Sequence, residues 1–232
     1  MGTLYLVGTP IGNLEDITLR ALRVLREVSV IAAEDTRTTR KLLTHYDIHT
    51  PLTSFHDYSG PGKVRRLVER LADADVALVS EAGMPGLSDP GYPLVAAALA
   101  QGVTVTTVPG PSAVISALVL SGLPTHAFHY LGFLPRKAGP RRRLLERVAA
   151  EPDTLLMYES PHRLLAALRD VEAVLGGRRV AVARELTKRF EEVVRGPVGD
   201  VRAHFEREPP RGEFTLVVAG ADADAPRADD ED

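Results

Sequence analysis

Four Gly/Pro-rich stretches carry the plainest capacity for chemistry in the chain: Gly8-Thr-Pro-Ile-Gly12, Glu81-Ala-Gly-Met-Pro-Gly-Leu-Ser-Asp-Pro-Gly91, Pro109-Gly-Pro-Ser112 and Pro135-Arg-Lys-Ala-Gly-Pro-Arg-Arg-Arg143. Glycine lets a backbone approach a ligand closely and proline fixes the shape of a loop, so such segments can offer main-chain N–H and C=O groups to a polar ligand. One such loop is an ordinary tight connection, but four in one chain point to a site. Cations are grouped in three places: Arg37, Arg40 and Lys41; Arg136, Lys137, Arg141, Arg142 and Arg143, with Phe133 beside them; and Lys188 with Arg189. Guanidinium groups suit phosphate binding and base stacking, and phosphate neutralisation dominates affinity for nucleic acid. For proton transfer the chain offers Glu34, Asp35, Glu81, Asp89, Glu159, Glu185 and its 7 histidines. Asp35 and Glu159 lie just after predicted strands and are the candidate catalytic bases. Asp35 also precedes a helical pattern and is equally suited to cap it.

Other chemistries are excluded. The chain has no Cys, which removes a disulfide framework, zinc–thiolate sites, Fe–S clusters and a thiolate nucleophile. No G-x-x-x-x-G-K-[ST] occurs, since Gly60-Pro-Gly-Lys63 lacks the spacing, and no G-x-G-x-x-G follows the first strand. H-E-x-x-H and G-x-S-x-G are also missing. His45 and His49 are four apart but end a helix pattern in polar surroundings and read as surface residues. No metal is expected. The formal charge of −3 over 232 residues argues at first against a nucleic-acid partner. It is an average of unlike parts. Residues 221–232 set six acids against Arg227, a net of −5, which leaves +2 on the other 220. No apolar run is long enough to span a bilayer, and Met1-Gly-Thr-Leu-Tyr5 lacks the basic and apolar regions of a secretory signal, so a cytoplasmic protein without membrane attachment is expected.

The elements that must position these residues are legible as alternating periodicities. Leu4–Val7 is a short apolar run ending at Gly8–Gly12 and reads as a buried strand; Val30–Ala33, ending in the charged run Glu34-Asp-Thr-Arg37, and Val76–Ser80 and Val103–Val108, ending in the second and third loops above, also read as strands. Between them, Ile17, Ala21, Leu22, Leu25 and Val28 recur at helical spacing, with Asn13 or Asp16 as N-cap. Val64, Leu67, Val68 and Leu71 do the same, and Pro93–Ala100 and Ala113–Leu120 also read as helix. This alternation predicts a mostly parallel sheet covered on both faces, with ligands at the carboxyl ends of the strands. After Gly122 the pattern changes. Phe128–Leu134, Thr154–Tyr158, Val180–Ala183, Glu192–Val194 and Phe214–Ala219 read as strands, Leu164–Leu175 as a helix, and residues 196–211 as a Gly/Pro-interrupted connection. The prediction is a two-domain α/β protein: an N-terminal α/β domain over 1–121, a C-terminal α/β domain with a mixed sheet over 122–220, and a disordered acidic tail over 221–232.

At this point the residues carry a resemblance. Leu4-Tyr-Leu-Val-Gly-Thr-Pro-Ile-Gly-Asn-Leu-Glu-Asp-Ile-Thr-Leu-Arg-Ala-Leu22 is similar to the opening of the small-subunit ribosomal RNA (cytidine 2′-O) methyltransferase family, a branch of the tetrapyrrole-methylase-like enzymes that use S-adenosylmethionine. Further matches are Ala33-Glu-Asp-Thr-Arg37, Ser80–Gly91, Val108-Pro-Gly-Pro-Ser-Ala113, Gly132-Phe-Leu-Pro-Arg-Lys137, Glu159-Ser-Pro-His-Arg163, Arg184-Glu-Leu-Thr-Lys-Arg-Phe-Glu-Glu192 and Gly212-Glu-Phe-Thr-Leu216. The Gly132–Lys137 and Glu159–Arg163 stretches separate this branch from the precorrin and diphthine branches. The resemblance implies a cofactor, S-adenosylmethionine, in the interdomain cleft, held at Pro10, Ala82, Gly83, Met84, Pro85, Leu87, Ser112, Ala113, Met157, Tyr158, Leu186 and Thr215. It also implies 2′-O-methylation of a cytidine (cytidine 1402 in this family) in 16S ribosomal RNA, with RNA across both domains, and a homodimer. The chain departs from the family pattern in the 80–91 loop, which in the family usually reads Ser-Asp-Ala-Gly-Thr-Pro-Leu-Ile. Here Glu81 is a longer acid, Met84 replaces a hydroxyl, and Gly86 is an extra glycine, standing where the family has Leu. Some family members carry a small C-terminal helical extension, where this chain has its acidic end. Two other readings stay open: a methylase of a small tetrapyrrole-like macrocycle, which would not need the arginine cluster, and a non-catalytic ribosome-assembly module.

Overall fold

The computed structural model describes residues Met1–His56 and Tyr58–Ala221. The acidic segment 222–232, which forms nearly all of the expected tail, lies outside the described residues. The chain divides into two compact units, Met1–Ser112 and Ala113 onward.

In the first unit five strands form one sheet: β1 (Thr3–Val7), β2 (Val30–Ala33), β3 (Leu52–Ser54), β4 (Val76–Val79) and β5 (Thr104–Val108). Their order is β3-β2-β4-β1-β5 and every pairing is parallel. The helices are α1 (Leu19–Glu27), α2 (Thr36–His45), α3 (Pro61–Arg70) and α4 (Tyr92–Ala100). Both faces are covered at the sheet's interior strands β2 and β4, which are buried at every residue and read as unbroken apolar runs, whereas β3 and β5 at the edges carry exposed Thr and Ser residues. Val7, Ile31, Ala33, Ala77 and Val79 pack with Ala21, Val24, Leu25, Leu42 and Leu43 of α1 and α2. The intervening Leu4, Val30, Ala32, Val76 and Leu78 pack with Leu67, Leu94 and Ala98 of α3 and α4. Chain connections leave β1 toward β2 and β4 toward β5, in opposite directions across the sheet. In open α/β sheets ligands bind outside the carboxyl ends of the strands at such a reversal.

The second unit holds α5 (Ala113–Ser121), β6 (Phe128–Phe133), α6 (Ala138–Arg147), β7 (Thr154–Glu159), α7 (Leu164–Leu175), β8 (Arg179–Arg184), β9 (Glu192–Pro197), α8 (Val198–Arg207) and β10 (Phe214–Val218). The sheet order is β6-β7-β10-β8-β9. β6 and β7 run parallel, and the remaining neighbours are antiparallel, so the sheet is mixed. Leu155, Met157, Val180, Val182, Leu216 and Val218 face α6, α7 and α8, while α5 packs on the opposite face, against β7, β8, β9 and β10. This packing places α5 with the second unit, so the division falls at Ser112/Ala113 rather than at 121/122.

Several elements differ from the sequence prediction for local reasons. The α1 helix is capped by Thr18, whose hydroxyl accepts from Ala21 N at 3.1 Å, while Asn13 caps a separate 3-10 turn, Leu14–Asp16. Strand β3 is three residues long, below the length at which periodicity shows. The α6 helix is hidden in the arginine run because only Leu144 and Leu145 of its residues are large apolar side chains. The α8 helix was missed behind Gly196 and Pro197. It buries Val198, Val201 and Phe205, at i, i+3 and i+7.

Candidate functional site

Three strand-end loops of the first unit are tied together through their backbones. Gly8 N donates to Val108 O at 3.0 Å, and Thr9 exchanges two hydrogen bonds with Gly83: Thr9 N to Gly83 O at 2.9 Å and Gly83 N to Thr9 O at 3.0 Å. Gly8 and Gly110 lie against one another. A Cβ on Gly8 would meet Gly110 Cα at 2.8 Å and the Met84 sulfur at 2.7 Å, and a Cβ on Gly110 would meet Gly8 Cα at 2.9 Å. These glycines are therefore required by close approach. Gly83 and Gly86 are required by conformation, with φ of +79° and +85°. Ser80 is buried, and its hydroxyl donates to Ala82 O at 3.2 Å, turning the chain out of β4. The loop after β2 joins this assembly: Glu81 N donates to a Glu34 carboxylate oxygen at 3.2 Å. Pro10, Ala82, Gly83, Met84, Pro85, Leu87 and Ser112 thus share one edge of the sheet.

The remaining predicted cofactor residues lie in the second unit. Tyr158 and Thr215 are cross-strand partners, and Thr215 also pairs with Ala183. They face the side covered by α5, whose first residue is Ala113. The Tyr158 ring is 5.4 Å from Tyr130 and 5.3 Å from Phe133, centroid to centroid. Met157 points the other way, fully buried among the α6–α8 side chains, so only its backbone is available to a ligand. Leu186 sits between two residues in left-handed conformations, Glu185 (φ 49°) and Thr187 (φ 65°). Such backbone costs about 1–3 kcal/mol per residue and gathers at ligand clamps. Its support is local. Glu185 accepts from Lys188 Nζ at 2.9 Å and from Glu213 N at 3.0 Å. Gly212 leaves no room for a Cβ beside the Glu185 side chain. Neither the strain nor this support has a signature in composition.

The two candidate bases are both engaged. Asp35 caps α2, accepting from Arg37 N at 2.7 Å and pairing with the Arg37 guanidinium at 2.9 Å. Arg37 thereby holds the Asp35 carboxyl down at about 2, first through its side-chain hydrogen bond and then through its amide. The sign follows. Asp35's contribution to stability is fully present above its ordinary value near 3.8 and is lost as the pH falls through about 2. Unfolding measured against pH is expected to show this acid step, and Asp35→Asn is expected to remove it while keeping the cap. Glu159 is buried, with one oxygen accepting from Ser160 N at 2.7 Å and from Arg163 at 2.6 Å. Its other oxygen, Oε2, is buried without a hydrogen-bond partner among the described residues. Burial pushes the carboxyl up, against the opposing pull of the Ser160 amide and the nearby Arg163 and Arg141 charges.

The cation clusters separate into exposed and committed residues. Arg40 and Lys41 are exposed with Arg37 along α2. Arg136, Lys137 and Arg143 are exposed after β6. Arg141 is not: it is 4% exposed, with its guanidinium 2.6 Å from Asp170 and bonded to the carbonyls of Pro135 and Arg136. It anchors the loop instead of presenting charge to a phosphate, which corrects its place among the RNA-binding residues. Lys188 is likewise engaged, by Glu185 and Glu213, whereas Arg189 is exposed over the Phe190 ring. His45 is exposed, and His49 faces Asp47 at 3.0 Å. Sequence reasoning missed Asp170. Its signal is a carboxylate inside the apolar stripe of α7, among Leu164, Ala167, Leu168 and Val171, where burial demands a cationic partner.

The sequence profile of the tetrapyrrole (corrin/porphyrin) methylases matches residues 3–202. A Halalkalibacterium halodurans protein named ribosomal RNA small subunit methyltransferase I is 51% identical over 221 residues, covering 94% of this chain and 76% of that one. The protein of the same name from Thermotoga maritima is 49% identical, covering 95% and 99%. Among solved structures, diphthine synthase superposes with a TM-score of 0.74 at 14% identity, covering 94% of this chain and 90% of its own. The Thermus thermophilus uroporphyrin-III C-methyltransferase complexed with S-adenosylhomocysteine superposes with a TM-score of 0.62 at 22% identity, covering 93% and 97%. Among the described residues no helix is long and apolar enough to cross a membrane.

Proposed function

This chain belongs to the tetrapyrrole methylase family, and from that premise we propose that it transfers a methyl group from S-adenosylmethionine to the ribose 2′-hydroxyl of a cytidine in 16S ribosomal RNA. One observation carries the choice of substrate. Identity near one half runs across about 95% of the chain to proteins named for small-subunit ribosomal RNA, whereas solved structures named for uroporphyrin or precorrin methylation reach only 17–24% identity.

The residues present fit the cofactor. The loops 8–10, 82–87 and 110–112 pack backbone to backbone, with no room for a Cβ at Gly8 or Gly110, so a ligand at this strand edge would meet main chain rather than long side chains. Ala113, Tyr158, Leu186 and Thr215 of the second unit are further proposed cofactor residues, with Met157 contributing backbone alone. When bound, S-adenosylmethionine supplies a methyl carbon already activated by its sulfonium. The chain's task is then chiefly to fix the ribose oxygen in line with that carbon, and positioning of this kind supplies much of the rate. Asp35, held at about 2, is a weak proton acceptor at neutral pH, and Glu159 is enclosed. We therefore assign both to positioning, Asp35 of α2 and Glu159 of the 160–163 turn. Arg40, Lys41, Arg136, Lys137, Arg143 and Arg189 supply exposed cations for the phosphate path.

Exposed apolar side chains on α5, Ile115 and Val119 among them, support the homodimer that the family resemblance implies, for which light scattering is the check. A protein acting on ribosomal RNA is expected in the cytoplasm. The functional test offers labelled S-adenosylmethionine together with 30S subunits lacking the modification, naked 16S RNA, or a uroporphyrinogen-type macrocycle. Label in RNA is the expected result. Label in the macrocycle would establish the alternative enzyme, and cofactor binding without transfer would establish a non-catalytic module.

A further inference from the structure

The cation run 136–143 divides in a way its composition does not reveal. Arg141 and Arg142 are neighbours on α6 and share one buried carboxylate, Asp170 of α7. Asp170 Oδ2 accepts from Arg141 Nε at 2.7 Å and Oδ1 accepts from Arg142 Nε at 2.7 Å. Yet the Arg141 side chain is 5% exposed and that of Arg142 is 55% exposed. Arg141 is turned inward, and its Nη1 reaches the carbonyls of Pro135 and Arg136. Arg142 is turned outward. Only its Nε is engaged, and among the described residues neither Nη group makes a hydrogen bond, which leaves the outer edge of the fork open.

This is the arrangement of an oriented anion ligand. Arginine binds phosphate through a planar fork, and much of the cost of that contact is the ordering of a long side chain. Asp170 has already met that cost by fixing the inner edge of the guanidinium. Burial pushes the Asp170 carboxyl up, but hydrogen bonds from Arg142 and Arg141, and their charges, outweigh it and hold the group below the ordinary carboxylate range, so the acid stays ionised at neutral pH. The loop before α6 is fixed as well: Arg163, anchored on Glu159, donates to Leu134 O at 3.2 Å. Arg147, on the same helix, is exposed and has no such anchor among the described residues.

We propose that Arg142 is a phosphate-binding fork for the backbone of the RNA substrate and that Asp170 is the residue that positions it. The proposal rests on the reading of RNA as substrate. A charge patch and an oriented fork predict opposite signs for one substitution. Asp170→Asn adds one net positive charge, so a patch would bind RNA more tightly. A fork released from its anchor would bind more weakly.

The test measures methyl transfer and filter binding of 16S RNA for the full chain with Arg142→Ala, Arg142→Lys, Arg147→Ala and Asp170→Asn. Expected results are a rise of about tenfold in KM for RNA with Arg142→Ala, little recovery with Arg142→Lys, and under threefold change with Arg147→Ala. Asp170→Asn should raise the KM for RNA rather than lower it, and kcat and cofactor affinity should hold in all four. If Asp170→Asn fails to fold, the comparison of the Arg142 and Arg147 variants decides alone. Equal effects at 142 and 147, full rescue by lysine, or tighter binding with Asp170→Asn would overturn the assignment while leaving the functional reading intact. A native chain that neither binds nor methylates RNA would overturn that reading instead.

Discussion

Replacing Gly110 by alanine is expected to lower methyl transfer about 100-fold while leaving a folded protein. The new Cβ would lie 2.9 Å from Gly8 Cα and 3.0 Å from its carbonyl carbon and oxygen. All of these are backbone atoms that cannot rotate aside. The ends of β1 and β5 must move apart, and they carry with them the Thr9–Gly83 bridge that places the 82–87 loop. Overpacking of this kind costs about 1–3 kcal/mol, which a chain of this size can absorb. A displacement near 1 Å costs about 100-fold in rate when it misplaces a reacting group. Loss of activity should therefore exceed loss of stability, read as cofactor affinity by calorimetry beside thermal unfolding. Gly62→Ala is the internal control. Gly62 lies in α3 with open space around it, and alanine there should raise stability by up to about 1 kcal/mol. Similar losses from both substitutions would contradict this role for the loops.

Arg141→Ala is expected to be the most destabilising change in the cation clusters, by about 3 kcal/mol, where Arg143→Ala stays within about 0.5 kcal/mol. Removing one partner of a buried ion pair leaves the other charge uncompensated. Arg142 still faces Asp170, which holds the figure at the lower end of the usual range. At about 2–4 °C per kcal/mol for this size, the midpoint should fall by about 6–12 °C. The pH dependence has a definite sign. Asp170 is depressed in the native state, so the pair's contribution is fully present above the ordinary carboxylate value and is lost as pH falls through the lower native one. The deficit of Arg141→Ala should persist at pH 7 and shrink in acid, because a protonated Asp170 no longer needs its partner. Denaturant midpoints for the two variants at pH 7 and at a pH well below the ordinary carboxylate value of 3.8 check both statements.

The contrast between Arg141 and Arg143 shows where reading the residues in order stops. Five cations in eight residues are visible in the sequence, and so is the apolar character of Val30–Ala33 and Val76–Val79, which required a sheet buried on both faces. Loops following those strands were bound to share one edge, because parallel strands have one carboxyl end. What the order of residues does not contain is which residues 28 to 102 positions apart come into contact. Gly8 and Gly110 are close because β1 and β5 pair in register, Thr3 with Thr104 through Val7 with Val108. Arg141 is buried because one helical step turns it toward Asp170, 29 residues on. Met157 and Tyr158 had equal standing as cofactor residues until alternation along β7 sent one side chain into the core and the other to the face under α5. The departures in the 80–91 loop also resolve on contact. The Met84 sulfur lies over Gly8, filling space rather than offering a hydroxyl. Glu81 is tied by its amide to Glu34 and by its carboxylate to Thr38 at 3.5 Å.

The central claim is methylation at a ribose oxygen of ribosomal RNA, and the position of the methyl group tests it most directly. Labelled S-adenosylmethionine, the native chain and 30S subunits lacking the modification are incubated together, and the recovered 16S RNA is hydrolysed in alkali. A 2′-O-methyl group blocks the attack of that oxygen on the neighbouring phosphate, so the account predicts label in a single alkali-resistant dinucleotide beginning with cytidine. Label released in ordinary mononucleotides, which places the methyl on a base, or no label in RNA at all, would contradict it.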